Sequence, residues 1–181
     1  MTEAADARTV WRLDATHPDD WDWTPYPDPL HRFDPDDGSY RVRYAGTTAI
    51  TAARERFATR SIRARDLDLW LVEIRLGGRL LPLTHQRNLD ALGVDRRIST
   101  GRAHTLDGVD PLMRQCWALA TALGRWFDPP IGLRYDARSH ASGGSTTVRL
   151  GSYEVDRTLR LGDARMLLNR LVILHGFKVE S

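Results

Sequence analysis

A chain of 181 residues with 41% hydrophobic side chains can bury one substantial core, which excludes a disordered composition and points to one domain. Its 26 basic and 24 acidic residues leave a net charge of +2, a weak footprint for a nucleic-acid binder, even though every basic residue except Lys178 is arginine. No run approaches the roughly 18 apolar residues of a membrane helix, the opening MTEAADARTV lacks the basic-then-apolar order of a signal peptide, and the one cysteine, Cys116, rules out an internal disulfide framework, so a cytoplasmic protein off the membrane is expected.

In chain order, residues 1–8 read as a flexible extension and 9–181 as one domain. TVWRLD (9–14) reads as a first strand. The next 24 residues hold five prolines, seven aspartates and two tryptophans. Proline and aspartate favour turns and break ladders, so a long loop is expected here, pinned to the core by Trp21, Trp23 and Tyr26. SYRVRYAG places Tyr40, Val42 and Tyr44 on one strand face and Arg41 and Arg43 on the other, the period of a half-buried strand. Gly46-Thr47-Thr48 then breaks the strand and offers an N-cap. AITAARERFATR follows as a helix, with Ala49, Ala52, Ala53 and Phe57 in one stripe.

LDLWLVEIRL (67–76) is apolar enough for a central strand, turned by Gly77-Gly78; LLPLT reads as a short strand and HQRNLDALG as a short helix ending at Gly93. VDRRISTGRAHTLDG reads as irregular. Asp110-Pro111 supplies a cap and a first-turn proline for the next helix. Leu112, Cys116, Leu119 and Leu123 recur along it at helical spacing, which makes Cys116 a core residue rather than a nucleophile. IGLRYDAR and STTVRLG read as strands joined by SHASGG, and DARMLLNRLVILHG as a last helix before a terminal strand, FKVE. The sum is an α+β fold, a single domain with a mixed sheet of five to seven strands and three or four helices.

Several chemistries have no motif here. There is no GxGxxG unit, no Walker phosphate loop and no GxSxG elbow. The six histidines, at 17, 31, 85, 104, 140 and 175, show no HExxH and no paired spacing, so no metal is expected.

What the segment 31–57 does hold is Arg32-Phe33, a glycine turn at Gly38, a strand ending in Tyr44-Ala45, and a helix carrying Glu55. With the early Trp11-Arg12 and the late GLRYDARSHASGG (132–144), this order resembles the RES domain family, named for its arginine, glutamate and serine. The family serine falls at Ala137, with Ser139 two positions on. Members of the family are typically toxins of bacterial toxin–antitoxin pairs. The resemblance implies an ADP-ribosyltransferase-like fold, NAD⁺ as substrate, cleavage of the nicotinamide–ribose bond, and water, phosphate or a protein as acceptor. It also implies a cognate antitoxin with an Xre-like helix-turn-helix domain as partner.

Each residue then has a stated job and a plain alternative. Arg32 can anchor the pyrophosphate through bidentate hydrogen bonds, or pair with Asp34 or Asp36 in its own loop. Tyr44 can offer a face to the cationic nicotinamide ring or a hydroxyl to ribose, or simply be a core tyrosine. Glu55 falls off the apolar stripe of its helix, so it faces either water or a cleft; in a cleft it can stabilise the ribose cation. Arg138 and Ser139 can line the same cleft. The readings that compete with an NAD⁺-consuming enzyme are a fold that has lost turnover, motivated by Ala137, and a nucleic-acid binder, motivated by the arginines and Trp21/Trp23.

Overall fold

The computed structural model describes residues 3–4, 8–100, 104–105, 108–127, 132–136, 144–149 and 153–180. Strands β1 (Glu3–Ala4) and β2 (Arg8–Asp14) precede the long loop, and β3 (Val42–Gly46) leads into helix α1 (Ala49–Arg56). Next come β4 (Ser61–Arg63), β5 (Trp70–Leu76), β6 (Arg79–Pro82), α2 (Gln86–Leu92) and α3 (Arg97–Thr100). A small hairpin, β7 (His104–Thr105) and β8 (Gly108–Val109), precedes α4 (Pro111–Trp126). The chain ends through β9 (Gly132–Asp136), β10 (Gly144–Arg149), β11 (Tyr153–Arg160), α5 (Arg165–His175) and β12 (Lys178–Glu180).

The α+β class is as expected, but the main sheet is larger than five to seven strands: it has eight, in the order β1-β6-β9-β10-β3-β2-β5-β11. The β6–β9 pair is parallel and the rest of this sheet is antiparallel. Two of its strands escape a reading of the sequence. Glu3–Ala4, inside the segment expected to be flexible, pairs with Leu80 and Arg79. YEVDRTLR is an edge strand against β5 whose middle residues, 154–157, are all exposed, so no apolar alternation marks it. Two short pieces, α3 and the β7–β8 hairpin, lie in the stretch expected to be irregular, and they bring the helices to five among the described residues.

Three apolar clusters hold the layers. Phe33, Leu81, Ile98, Cys116, Leu119 and Tyr135 join α3 and α4 to the β6–β9 side of the sheet. Ala53, Phe57, Ile62, Leu71, Leu161 and Leu171 join α1 and α5 to the β2–β5 side. Val10, Ala45, Val72 and Ile74 face the long loop through Trp21. Both caps read from sequence form: Thr48 Oγ1 accepts the Thr51 N–H at 3.0 Å, and Asp110 Oδ1 accepts the Leu112 N–H at 2.8 Å with Pro111 in the first turn. Among the described residues no helix is long and apolar enough to cross a membrane, and no group of three His, Cys, Asp or Glu side chains is placed to hold a metal ion.

One irregularity positions the site. β2 pairs with β5 over all seven of its residues, yet with β3 it shares only Trp11 opposite Gly46. The sheet therefore parts between β2 and β3, and side chains bridge the gap. Arg12 Nη1 donates to the Tyr44 carbonyl at 2.7 Å, and Arg43 Nη1 meets Asp14 Oδ2 at 3.0 Å.

Candidate active site

At the parting of the sheet lies a cavity of about 360 Å³. β2 contributes Trp11, Arg12 and Leu13; β3 contributes Tyr44, Ala45 and Gly46; β9 contributes Tyr135. The opposite wall is α1, through Ala52, Glu55 and Arg56, and His31 closes it from the long loop. Residues i, i+3 and i+4 share one helix face, which is why Ala52 brings Glu55 and Arg56 with it. Gly46 lets the helix come this close: a Cβ there would stand 2.5 Å from the Ala52 nitrogen and 2.9 Å from Thr51 Cβ.

Tyr44 and Glu55, eleven residues apart in sequence, are thus brought to one cavity. Glu55 is exposed and lines this cavity. The Tyr44 hydroxyl accepts the Phe33 N–H at 2.8 Å, tying the loop to the strand. Burial, helped by Tyr135 and Asp34 nearby, raises its phenol well above the ordinary value. Tyr44 therefore stays protonated, and its ring lines the cavity. Tyr135 and His31 stand edge-on to that ring at centroid distances of 6.5 Å and 5.8 Å.

Arg32 is the exception. It does not line this cavity; its Nη1 donates to the Ile98 carbonyl at 2.7 Å, on the α3 side, close to Cys116. Asp34 Oδ2 accepts the Leu30 and His31 N–H groups at 3.1 Å and 2.7 Å, and Asp36 is taken up by Thr121. The cations at the cavity are Arg12 and Arg56 instead. Arg12 is fixed by Asp14 (Nε to Oδ2, 2.6 Å) and by the Tyr44 carbonyl, so its position is built rather than incidental. Trp11-Arg12 was visible in the sequence as a motif; what hid its place at the cavity was that nothing in a strand pattern says where a sheet will part. Arg138, Ser139 and Ala137 lie outside the described residues.

Behind the cavity the other face of β3 is closed. Arg43, expected on a solvated face, is buried. It meets Asp14, donates to the Asp22 carbonyl at 2.8 Å, and lies 4.5 Å and 5.0 Å from the ring centres of Trp21 and Trp23. The proline- and aspartate-rich loop covers this face, which a period-2 pattern has no means of registering. Burial pushes the Asp14 carboxyl up, but Arg12, the Thr16 N–H and Arg43 together draw it below its ordinary value. The tryptophans that motivated a nucleic-acid reading are spent on this packing, together with Tyr153. Cys116 is buried, and burial pushes its thiol up to about 11, far from a nucleophile's range.

Taken together, the molecule is an α+β domain with an open, partly aromatic cavity lined by one glutamate, Glu55, and two arginines, Arg12 and Arg56. A chain of the solved M. tuberculosis MbcT–MbcA toxin–antitoxin complex has the same fold. The two align with a TM-score of 0.63 over 95% of this chain and 91% of that one, at 18% sequence identity. No family model and no curated protein matches the sequence.

Proposed function

We propose that this chain is a RES-type toxin that consumes NAD⁺ by breaking the nicotinamide–ribose bond. The observation that carries the reading is the meeting of Tyr44 and Glu55 in one cavity flanked by Arg12 and Arg56. The likeness in fold to a chain from a toxin–antitoxin complex supports it.

NAD⁺ brings three demands: an anion to hold, a flat cationic ring to seat, and positive charge that grows on ribose as the bond breaks. Arg12, preset by Asp14 and the Tyr44 carbonyl, and Arg56 at the rim supply guanidinium groups for the pyrophosphate; guanidinium forks suit phosphate oxygens. The Tyr44 ring, held by its own hydroxyl bond to Phe33, offers a π face to the nicotinamide cation. Glu55, on the same cavity, is the anion for the ribose cation. In this reading Arg32 acts one step back, holding the His31–Phe33 turn against α3, and Arg138 and Ser139, a few positions after Tyr135 in sequence, serve the same NAD⁺. The partner is an antitoxin, with an Xre-like helix-turn-helix domain, that closes the cavity.

Incubating the purified chain with NAD⁺ and following free nicotinamide tests the reading directly. Release is expected from the native chain, and not from Glu55→Gln. A native chain that releases none, with water, phosphate or protein as acceptor, leaves the reading without support and favours a fold that has lost turnover.

A further inference from the structure

Bond cleavage leaves the acceptor's proton unaccounted for, and the cavity contains few groups able to take it. Arg12 and Arg56 are cations. The Tyr44 phenol is pushed up and its oxygen already accepts the Phe33 N–H. Glu55, in the reading above, must remain an anion beside the ribose. The ionisable side chains that remain are His31, which is exposed, and Tyr135, which is buried.

His31 is an exposed loop residue, yet it is held from several sides. Its N–H donates to Asp34 Oδ2 at 2.7 Å, and its carbonyl accepts Trp117 Nε1 from α4 at 2.9 Å. Its ring stands edge-on to Tyr26 at 5.9 Å and to Tyr44 at 5.8 Å. Tyr26 is itself fixed, its hydroxyl accepting from Arg41 Nη2 at 2.6 Å. An exposed imidazole clamped between two rings and anchored through both backbone groups is preorganised beyond what a solvated turn needs. The charged and titratable groups around it are Asp34 in its own loop, Arg41 beyond Tyr26, Tyr44 and Arg12 on the central strands, Tyr135 on β9, and Glu55 and Arg56 on α1.

We propose that His31 is the general base that deprotonates the acceptor, and that the acceptor is a neutral O–H group, water in the simplest case. This rests on the NAD⁺-cleaving reading. In the step, the C1′–N bond breaks and its electron pair leaves with nicotinamide, which departs neutral. The water oxygen bonds to C1′, and the water proton passes to an imidazole nitrogen and then to solvent. The products are ADP-ribose, nicotinamide and one proton. Inorganic phosphate, already an anion, would make no such demand on His31.

The test is the pH profile of nicotinamide release, without phosphate, for the native chain, His31→Gln and His31→Ala. A general base acts only while unprotonated, so native kcat should fall on the acid side. His31→Gln should lose that fall and run about 10²-fold slower, with KM for NAD⁺ within about threefold, a margin worth less than one tenfold step in affinity. Added imidazole should restore turnover to His31→Ala in proportion to its concentration. Three results overturn the assignment while the NAD⁺ reading stands: unchanged kcat and pH profile in His31→Gln, a rise in KM alone, or no rescue by imidazole. A native chain that releases no nicotinamide overturns both.

Discussion

The two faces of β3 use similar kinds of side chain, arginines, carboxylates and aromatic rings, for opposite ends. On one, Arg43 lies beneath the long loop against Asp14, Trp21 and Trp23. On the other, Tyr44 meets His31 and Tyr135 and lines, together with Glu55 and Arg56, a cavity of about 360 Å³. Adjacent residues of one strand thus look into a closed lock and an open cavity. A closed ion–aromatic cluster holds the fold together, whereas an open one keeps charges and π faces available for something else. Arg12 and Asp14 link the two, since Asp14 holds Arg43 on the closed side and Arg12 at the cavity.

If the contrast is sound, damage on the closed side should appear in stability and damage on the open side in chemistry. Removing one partner of a buried pair is severe, and Asp14→Ala should cost about 3–5 kcal/mol in denaturant unfolding. The same carboxylate sets an acid limit. Its folded pKa lies below the ordinary 3.8, so its contribution is complete above that value and is lost as pH falls through the lower, folded one. The acid-unfolding curve of Asp14→Asn should lack that component; a curve identical to the native one would show that Asp14 is not part of the lock.

On the open side, Glu55→Gln should slow nicotinamide release by about 10²–10³-fold, the scale for losing one electrostatic stabiliser of a transition state. Its unfolding midpoint should stay where it was, and an equal loss of stability would erase the distinction between the faces. Gly46→Ala tests the hinge between them. The added methyl meets the Ala52 nitrogen and Thr51, so α1 must retreat at about 1–3 kcal/mol, and release should slow because Glu55 retreats with it. Tyr44→Phe should be the mildest. It leaves the Phe33 N–H without its acceptor, at about 1 kcal/mol, but keeps the ring; release should persist, and its loss would mean that the hydroxyl, not the π face, is what the reaction uses.

Most elements were legible because their signals are local. Thr48 and Asp110 cap the helices they precede, Gly93 ends α2 in the left-handed conformation it suits, and β5 reads as an apolar central strand. β11 was illegible because an edge strand with solvent on its middle residues carries no apolar alternation. Tyr44 and Glu55 could be paired from the order of short motifs. Arg32 could not be placed, because its hydrogen-bond partner, Ile98, is 66 residues away.

The residue types, their local periodicity and their caps set the α+β class, the helix that carries Glu55 and the strand that carries Tyr44, since those depend on neighbours within a few positions. Long-range packing set which arginine reaches the cavity, which one is locked away, and that His31 stands between two rings. A strand pattern fixes the alternation of faces but not what covers them. Here the loop over Arg43 and the single Trp11–Gly46 pair between β2 and β3 closed one face and opened the other.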